Sequence, residues 1–319
     1  MILAPSFRYR FINRIRRCFT RWTAFDMILL AILVATAAAV GWIVAIRLQY
    51  RWNWATLLEH IVRFDPNTDS LVPGALLRGL ATTIRLSTWA MLAATPIGLA
   101  IALLRSSRRP FNRWTGRTFL ELIRNTPPIV VIFIGYYFFS ERLLSVFDVA
   151  DTLQGLPEST LFLIEMGFGP RSHLPAFLSA TASIAVIEAV YIAEIIRGGI
   201  RSIDHGQIEA SDALGLNRLQ QLRYVILPQA VRNILPPLSG QFVSTIKDSA
   251  IVSVISIPEL CFQGTEIISA TYLHFEVWIT VTLMYAVLTF TLSYGISRLE
   301  RRVRKHSGSA LFDKRMAMG

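Results

Sequence analysis

The 319 residues hold little on which chemistry could be built. There are two cysteines, Cys18 in an arginine-rich N-terminal stretch and Cys261 far along the chain. Such a pair offers neither a disulfide framework nor a cysteine metal set, so two inert thiols are expected. The five histidines, His60, His173, His205, His274 and His306, are scattered, with no His-Glu-x-x-His pair for zinc. No glycine is followed by lysine, so the Gly-x-x-x-x-Gly-Lys loop that cradles nucleotide phosphates is missing. An enzyme is therefore a poor reading, and no metal or cofactor is expected. Energy must come from an ATP-hydrolysing partner or from an ion gradient.

Negative charge is also scarce: 21 acidic residues face 32 basic ones, a net charge of +11. An excess of that size suits nucleic acid, but its distribution excludes that partner. The basic residues cluster between apolar runs and at the two ends. Hydrophobic residues make up 53% of the chain and mean hydropathy is +0.47. Apolar stretches of about twenty residues recur, the length that crosses a bilayer core. The expected fold is all-α and polytopic, with about six transmembrane helices in an integral membrane protein.

The first span is expected over Met27–Ile46, too long for a signal-peptide core, after a tail carrying Arg8, Arg10, Arg14, Arg16, Arg17 and Arg21. Trp42, Tyr50, Trp52 and Trp54 mark its far interface, and the stretch to about Val72 reads as polar and outside. The second span is Gly79–Leu104, with Arg85 snorkelling at its outer end and Thr95, Pro96 and Gly98 set to bend it. A short basic segment, 105–124, precedes a third, short span ending near Tyr136, Tyr137, Phe138 and Phe139. An acidic outer segment, 140–174, follows, whose apolar part 161–168 suits a helix lying on the membrane surface. The remaining spans are Pro175–Ile196, Ile234–Leu260 and Val277–Ser297, with a basic, frayed tail beyond Arg298. Of the 32 basic residues, 24 fall on one side of this scheme and six on the other, with Arg85 and Lys247 inside spans. The positive-inside rule then puts both termini and the polar segment after Ile196 in the cytoplasm.

That polar segment has its own grammar. Asp204 with Gln207 forms a capping box, so a helix starts at His205. Gly215 stops it in a left-handed conformation. Asn217 with Gln220 opens a second short helix, which Pro228 is expected to end. Two helices of about ten residues are marginal alone and need a surface to dock on.

Glu209-Ala210-Ser211, Gly215 and Ile226-Leu227-Pro228 resemble the EAA loop of ABC-importer permeases. The flanks, Tyr191–Gly199, Leu227–Ala230 and Lys247-Asp248, resemble the polar amino acid branch of that family, the histidine/glutamine type. Gly79–Ser87 and Glu121–Pro128 resemble the starts of its first two core helices, so the likeness runs from about Pro73 to Leu299. Ser211 departs from the usual second alanine but is also small, which preserves close packing on a partner.

The resemblance implies a five-helix type I importer core over 75–299, with the EAA loop at 204–228. It leaves 1–74 as basic tail, extra helix and outer segment, and 300–319 as cytoplasmic tail. The implied partners are ABC ATPase subunits, an extracytoplasmic amino-acid-binding protein, a second permease chain (identical or a sister) and membrane lipid. The implied function is a permease subunit in an ATP-driven importer of polar amino acids, working by alternating access.

ATPase coupling then falls to Glu209, Ala210, Ser211, Asp212, Ala213, Leu214 and Gly215. Ala210, Ala213 and Leu214 share one helical face, with Glu209 and Asp212 beside it at i, i+3. An ordinary amphipathic loop helix with solvated charges is the bland alternative. Glu188, mid-way along its span, and Lys247 with Asp248, mid-way along 234–260, need a reason to sit in a bilayer. They suit either contact with a zwitterionic amino acid or a charge network that fixes helix packing. Glu194 and Arg197 suit a packing ion pair. A gradient-driven secondary transporter or channel would use the same charges as ion sites, but has no need of the capped double helix at 204–227.

The charge count makes a direct prediction. With Ser159, Ser202 and Ser309 each replaced by cysteine, an impermeant thiol reagent added outside should label Ser159→Cys alone. Outside labelling of Ser202→Cys would refute the six-span scheme.

Overall fold

The computed structural model describes residues 23–47, 50, 52–66, 69–138 and 155–316. The basic tail before Thr23, the boundary residue Phe139 and the outer segment up to residue 154 lie outside the described residues. The chain divides into two compact units, Met1–Trp52 and Asn53–Gly319.

The first unit holds α1 (Ala24–Arg47). Thr23 and Asp26 cap it reciprocally: Thr23 Oγ1 accepts from the Asp26 amide at 3.4 Å, and Asp26 Oδ2 accepts from the Thr23 amide at 2.8 Å. The helix is apolar on every side, as a membrane span requires.

The second unit opens with structure that its polar composition hid. Asn53 caps α2 (Trp54–Ile61) by accepting from the Thr56 amide at 3.2 Å. An antiparallel hairpin follows, β1 (Val62–Asp65) on β2 (Ser70–Pro73), with Val62 opposite Pro73 and Asp65 opposite Ser70. The outer stretch expected as polar connection is thus ordered, because Leu57 buries itself against Leu76, Leu260, Ile267 and Val277.

Two long helices, α3 (Ala75–Ser106) and α7 (Leu174–Arg201), form the centre. Ala94, Ile101 and Ala102 of α3 pack with Ala185, Ala189, Ile192, Ala193 and Ile196 of α7. Alanine-rich contacts let helix backbones approach closely where lipid removes any hydrophobic drive. Pro96 is accommodated within an unbroken α3.

The basic segment 105–124 is largely helical. Pro110 starts α4 (Pro110–Arg124), and α5 (Pro128–Phe138) leaves it at 108°. Pro127 and Pro128 bar the residues before them from the helical region, which fixes the corner. Thr126 Oγ1 donates to the Leu122 carbonyl at 2.7 Å and Asn125 Nδ2 to that of Glu121 at 2.8 Å, satisfying the helix end. Next, α6 (Glu158–Phe168) confirms a helix at the apolar 161–168. Trp89 of α3 holds it, stacking on Phe168 at 4.6 Å and donating to the Gly167 carbonyl at 3.0 Å.

The span expected over Ile234–Leu260 is broken. Helix α10 (Leu227–Asp248) tightens into a 3₁₀ turn at Ser249–Ile255, and α11 (Leu260–Thr271) departs at 47°. Ser256 takes a left-handed φ of 62°, and Pro258 bars Ile257 from helical geometry. The buried Glu259 restarts the chain: its carboxylate accepts from the Phe262 amide at 2.7 Å, from Tyr285 at 3.0 Å and from Thr83 at 3.4 Å. Last comes α12 (His274–Met316), whose buried Glu276 accepts from the Asn53 amide at 2.8 Å. The tail expected to fray continues this helix to Met316. Among the described residues four helices have the length and composition to cross a membrane, and two bent pairs bring the number to as many as six.

Gly98 tests the centre. A β-carbon there would lie 2.8 Å from the Ala189 carbonyl oxygen and 2.8 Å from Ile192 Cγ2. Gly98→Ala should therefore cost about 1–3 kcal/mol through overpacking, measured as a lower thermal midpoint of the purified chain. Gly295→Ala, where a β-carbon meets nothing within 4 Å, is the control and should not destabilise.

Candidate coupling and transport site

Asp204 starts α8 (His205–Ala213) as expected, but its carboxylate accepts from the Gly206 amide at 2.7 Å rather than from Gln207. The short side chain reaches the second free amide of the helix, a simple N-cap in place of the expected reciprocal box with Gln207. At the other end Gly215 adopts φ +74°. The Leu216 amide donates to the Ser211 carbonyl at 3.2 Å and the Gly215 amide to that of Asp212 at 3.0 Å, the paired bonds of a Schellman stop. The second helix, α9 (Arg218–Gln221), has the full capping box between Asn217 and Gln220, both bonds 2.9 Å.

Pro228 does not end that helix. Leu222–Ile226 widen into a π-turn, closed by the Leu227 amide on the Leu222 carbonyl, and the chain runs on into α10. The wider turn takes up the space and the bond that proline denies to an α-helix, so Pro228 sits in the first turn of α10 without a break.

Gln221 locks the two short helices together. It is buried, and its Nε2 lies 2.6 Å from Ser211 Oγ, 3.2 Å from the Ile208 carbonyl and 3.2 Å from Asp212 Oδ1. Ser211, expected to pack on a partner, is instead 2% exposed and turned inward, because its hydroxyl joins this bond network. The small residue serves the hairpin's own interior. Glu209, Ala210, Asp212, Ala213, Leu214 and Gly215 remain exposed, with Leu214 79% exposed.

Glu188 of α7 has no exposed surface. Gln241 of α10 donates to its Oε2 at 2.8 Å, while Oε1 is buried with no hydrogen-bond partner among the described residues. Lys247 and Asp248 make no hydrogen bond to it among the described residues. They stand exposed at the last two positions of α10, directly before the 3₁₀ turn. Glu194 pairs with Arg197 at 2.6 Å as expected, and also with Arg105 of α3.

Sequence reasoning missed Gln221, Gln241, Glu259 and Glu276. A glutamine carries no charge to mark it as costly when buried, and both acids stand at helix starts, where a carboxylate ordinarily reads as a solvated cap.

A bundle of apolar helices long enough to cross a membrane, interrupted by a doubly capped polar hairpin, defines a polytopic membrane subunit. The chain belongs to the family of binding-protein-dependent transport system inner membrane components, whose profile matches residues 94–305. It is 34% identical over 224 residues to the glutamine transport system permease protein GlnP of Escherichia coli (strain K12), covering 69% of this chain and 90% of that one. It is 32% identical over 227 residues to the probable glutamine ABC transporter permease protein GlnM of Bacillus subtilis (strain 168), covering 71% and 92%. A crystal structure of an amino acid ABC transporter with histidines superposes with a TM-score of 0.61 at 31% identity, covering 79% of this chain and 100% of that one. The methionine transporter MetNI, at 20% identity and a TM-score of 0.52, shares the fold. The chain is thus a multi-pass inner-membrane transport subunit rather than an enzyme, and hydrolysis of ATP falls to a separate partner.

The left-handed stop predicts a specific weakness. At Gly215 a β-carbon would meet nothing within 4 Å, so only backbone conformation opposes a side chain there. Gly215→Val should cost about 1–2 kcal/mol, read as roughly tenfold faster hydrogen exchange at the amides of 205–221. Gly215→Asn should lose less, because asparagine tolerates φ > 0. Equal protection in all three proteins would remove the stop from the hairpin's stability.

Proposed function

We propose that this chain is one permease of a two-permease ABC importer for polar amino acids, with both termini and the 204–228 hairpin in the cytoplasm. The observation that carries the reading is the outer side of α8. Glu209 has a side chain 71% exposed, and beside it Ala210, Asp212, Ala213 and Leu214 face out from a helix fixed at both ends and braced by Gln221. Small residues allow a partner's groove to approach closely, and the two acids suit basic groups lining it. The solvated-helix alternative leaves the bracing without a purpose. The glutamine named for GlnP and GlnM supports a polar amino acid as cargo.

In this reading, ATP closes the paired ATPase subunits and draws the two hairpins together, and the spans reopen outward around a site near mid-membrane. Glu188 is the residue of that site best supported here: its unpartnered oxygen is an acceptor held ready for an ammonium group. Lys247 and Asp248, exposed at the end of α10, suit the inter-permease surface or the substrate path. The core at 75–299 carries transport, and the segments 1–74 and 300–319 flank it. The outer segment 140–174 is the docking surface for an extracytoplasmic binding protein.

Reconstituted with its ATPase and binding protein, the complex tests both residues. Glu209→Lys should leave the chain in the membrane yet lower uptake at least tenfold. Glu188→Gln should keep assembly and basal ATP hydrolysis while weakening uptake or shifting its preference among acidic, neutral and basic amino acids. Loss of the protein on Glu188→Gln would assign it to packing. Normal uptake by Glu209→Lys would refute the coupling role.

A further inference from the structure

A cavity of about 830 Å³ opens where the ends of α3 and α7 meet α4. Five guanidinium groups line it, those of Arg105, Arg113, Arg117, Arg197 and Arg201, against the single lining carboxylate of Glu121. Arg113 and Arg117 are four residues apart on α4, and Arg197 and Arg201 four apart on α7, so each pair shares one helical face. Like charges at that spacing destabilise a helix unless something neutralises them. Glu194 holds Arg105 and Arg197 in place from outside the lining. Among the described residues no carboxylate lies within ion-pair distance of Arg113, Arg117 or Arg201. Arg201 also complements the C-terminal dipole of α7, but Arg113 and Arg117 sit inside α4, where no dipole explains them.

We propose that this cavity binds the phosphate headgroup of an anionic phospholipid. Guanidinium forks match phosphate oxygens two at a time, and a basic pocket between membrane helices on the cytoplasmic side is the form that headgroup recognition takes. A free phosphate would satisfy the same arginines. The walls favour the lipid: Trp114 and Leu122 line the cavity with 73% and 63% of their surfaces exposed, and Phe111 one turn earlier is 79% exposed. Aromatic rings at that level sit among headgroups, and the apolar side chains offer a path for acyl chains. The site lies at the root of the hairpin, since Arg201 ends α7 three residues before the cap Asp204. Placing it in the cytoplasmic leaflet rests on the orientation proposed above; the binding itself does not.

The full chain, purified in neutral detergent and studied by native mass spectrometry, tests this with three probes: phosphatidylglycerol, phosphatidylcholine and inorganic phosphate. Phosphatidylglycerol should bind at least tenfold tighter than phosphatidylcholine. Arg113→Gln/Arg117→Gln/Arg201→Gln should lose most of that preference, while the lysine triple at the same positions restores much of it and shows that the site still folds. Arg108→Gln/Arg109→Gln/Arg124→Gln removes equal charge outside the cavity and should change the preference less than twofold. Equal binding of the two lipids, or equal loss in both glutamine triples, would overturn the proposal. Displacement of phosphatidylglycerol by inorganic phosphate at matching concentration would overturn the lipid and leave a soluble anion as the occupant. None of these readouts requires transport, so a failed uptake experiment would not decide them.

Discussion

The close approach of α3 to α7 is the contact on which the remainder depends. It exists because the facing positions are small: Gly98 with Ala94 and Ala102 on one helix, Ala185, Ala189 and Ala193 on the other. Lipid tails are as apolar as leucine, so bulk hydrophobicity cannot hold two such helices together. What holds them is packing area gained at short range, and, where α7 approaches the hairpin, the two arginines that share Glu194. Helix α4 then lays Leu120 on that pair, and α5 and α10 pack against α7.

Around that centre the structure spends buried polar groups at the points where a helix stops being one. Glu259 sits at the restart after the left-handed Ser256, and its carboxylate ties α11 to Thr83 of α3 and Tyr285 of α12. A carboxylate buried in a membrane protein is tolerated only when its lone pairs are used, and three donors use them here. Glu188 departs from that rule: Gln241 of α10 donates to one oxygen, and the other has no partner among the described residues. Both acids tie helices together, but only Glu188 keeps a lone pair unused.

Much of this was legible in the sequence, for reasons of period and punctuation. Apolar runs of bilayer length located the four helices long enough to span, and the Asn217–Gln220 box and Gly215 located the hairpin to the residue, because caps act through local geometry alone. Hidden from that reading was whatever depends on a partner distant in the chain. The strands at Val62–Asp65 and Ser70–Pro73 pair with each other, and α2 gains its hold from Leu57 against Leu260 and Val277. Ser211 looked like a surface residue until Gln221, ten positions on, claimed it. Pro228 looked like a stop because the sequence does not announce that the preceding turn will widen. The break after Ile255 was missed because the residues leading to it are as apolar as any span, and only Ser256 and Pro258 betray it.

That misread proline changes how motion can pass through the molecule. With Pro228 ending a helix, the hairpin would hang on a flexible joint. Because the π-turn carries the helix through, residues from Arg218 to Asp248 form one continuous helical rod. Gln221 near one end grips the coupling hairpin, and Gln241, twenty residues on and about 30 Å along the axis, grips Glu188. Under the proposed coupling, a partner pushing on α8 would move the base of a rod whose far part holds Glu188, the buried acid with an unused oxygen among the described residues. The weakest points of that rod are the widened turn and the adjacent prolines Pro236 and Pro237, where backbone bonds are missing. Both points lie between the two glutamines, so under the proposed coupling a displacement at the hairpin would reach Glu188 as a change of tilt rather than as unfolding.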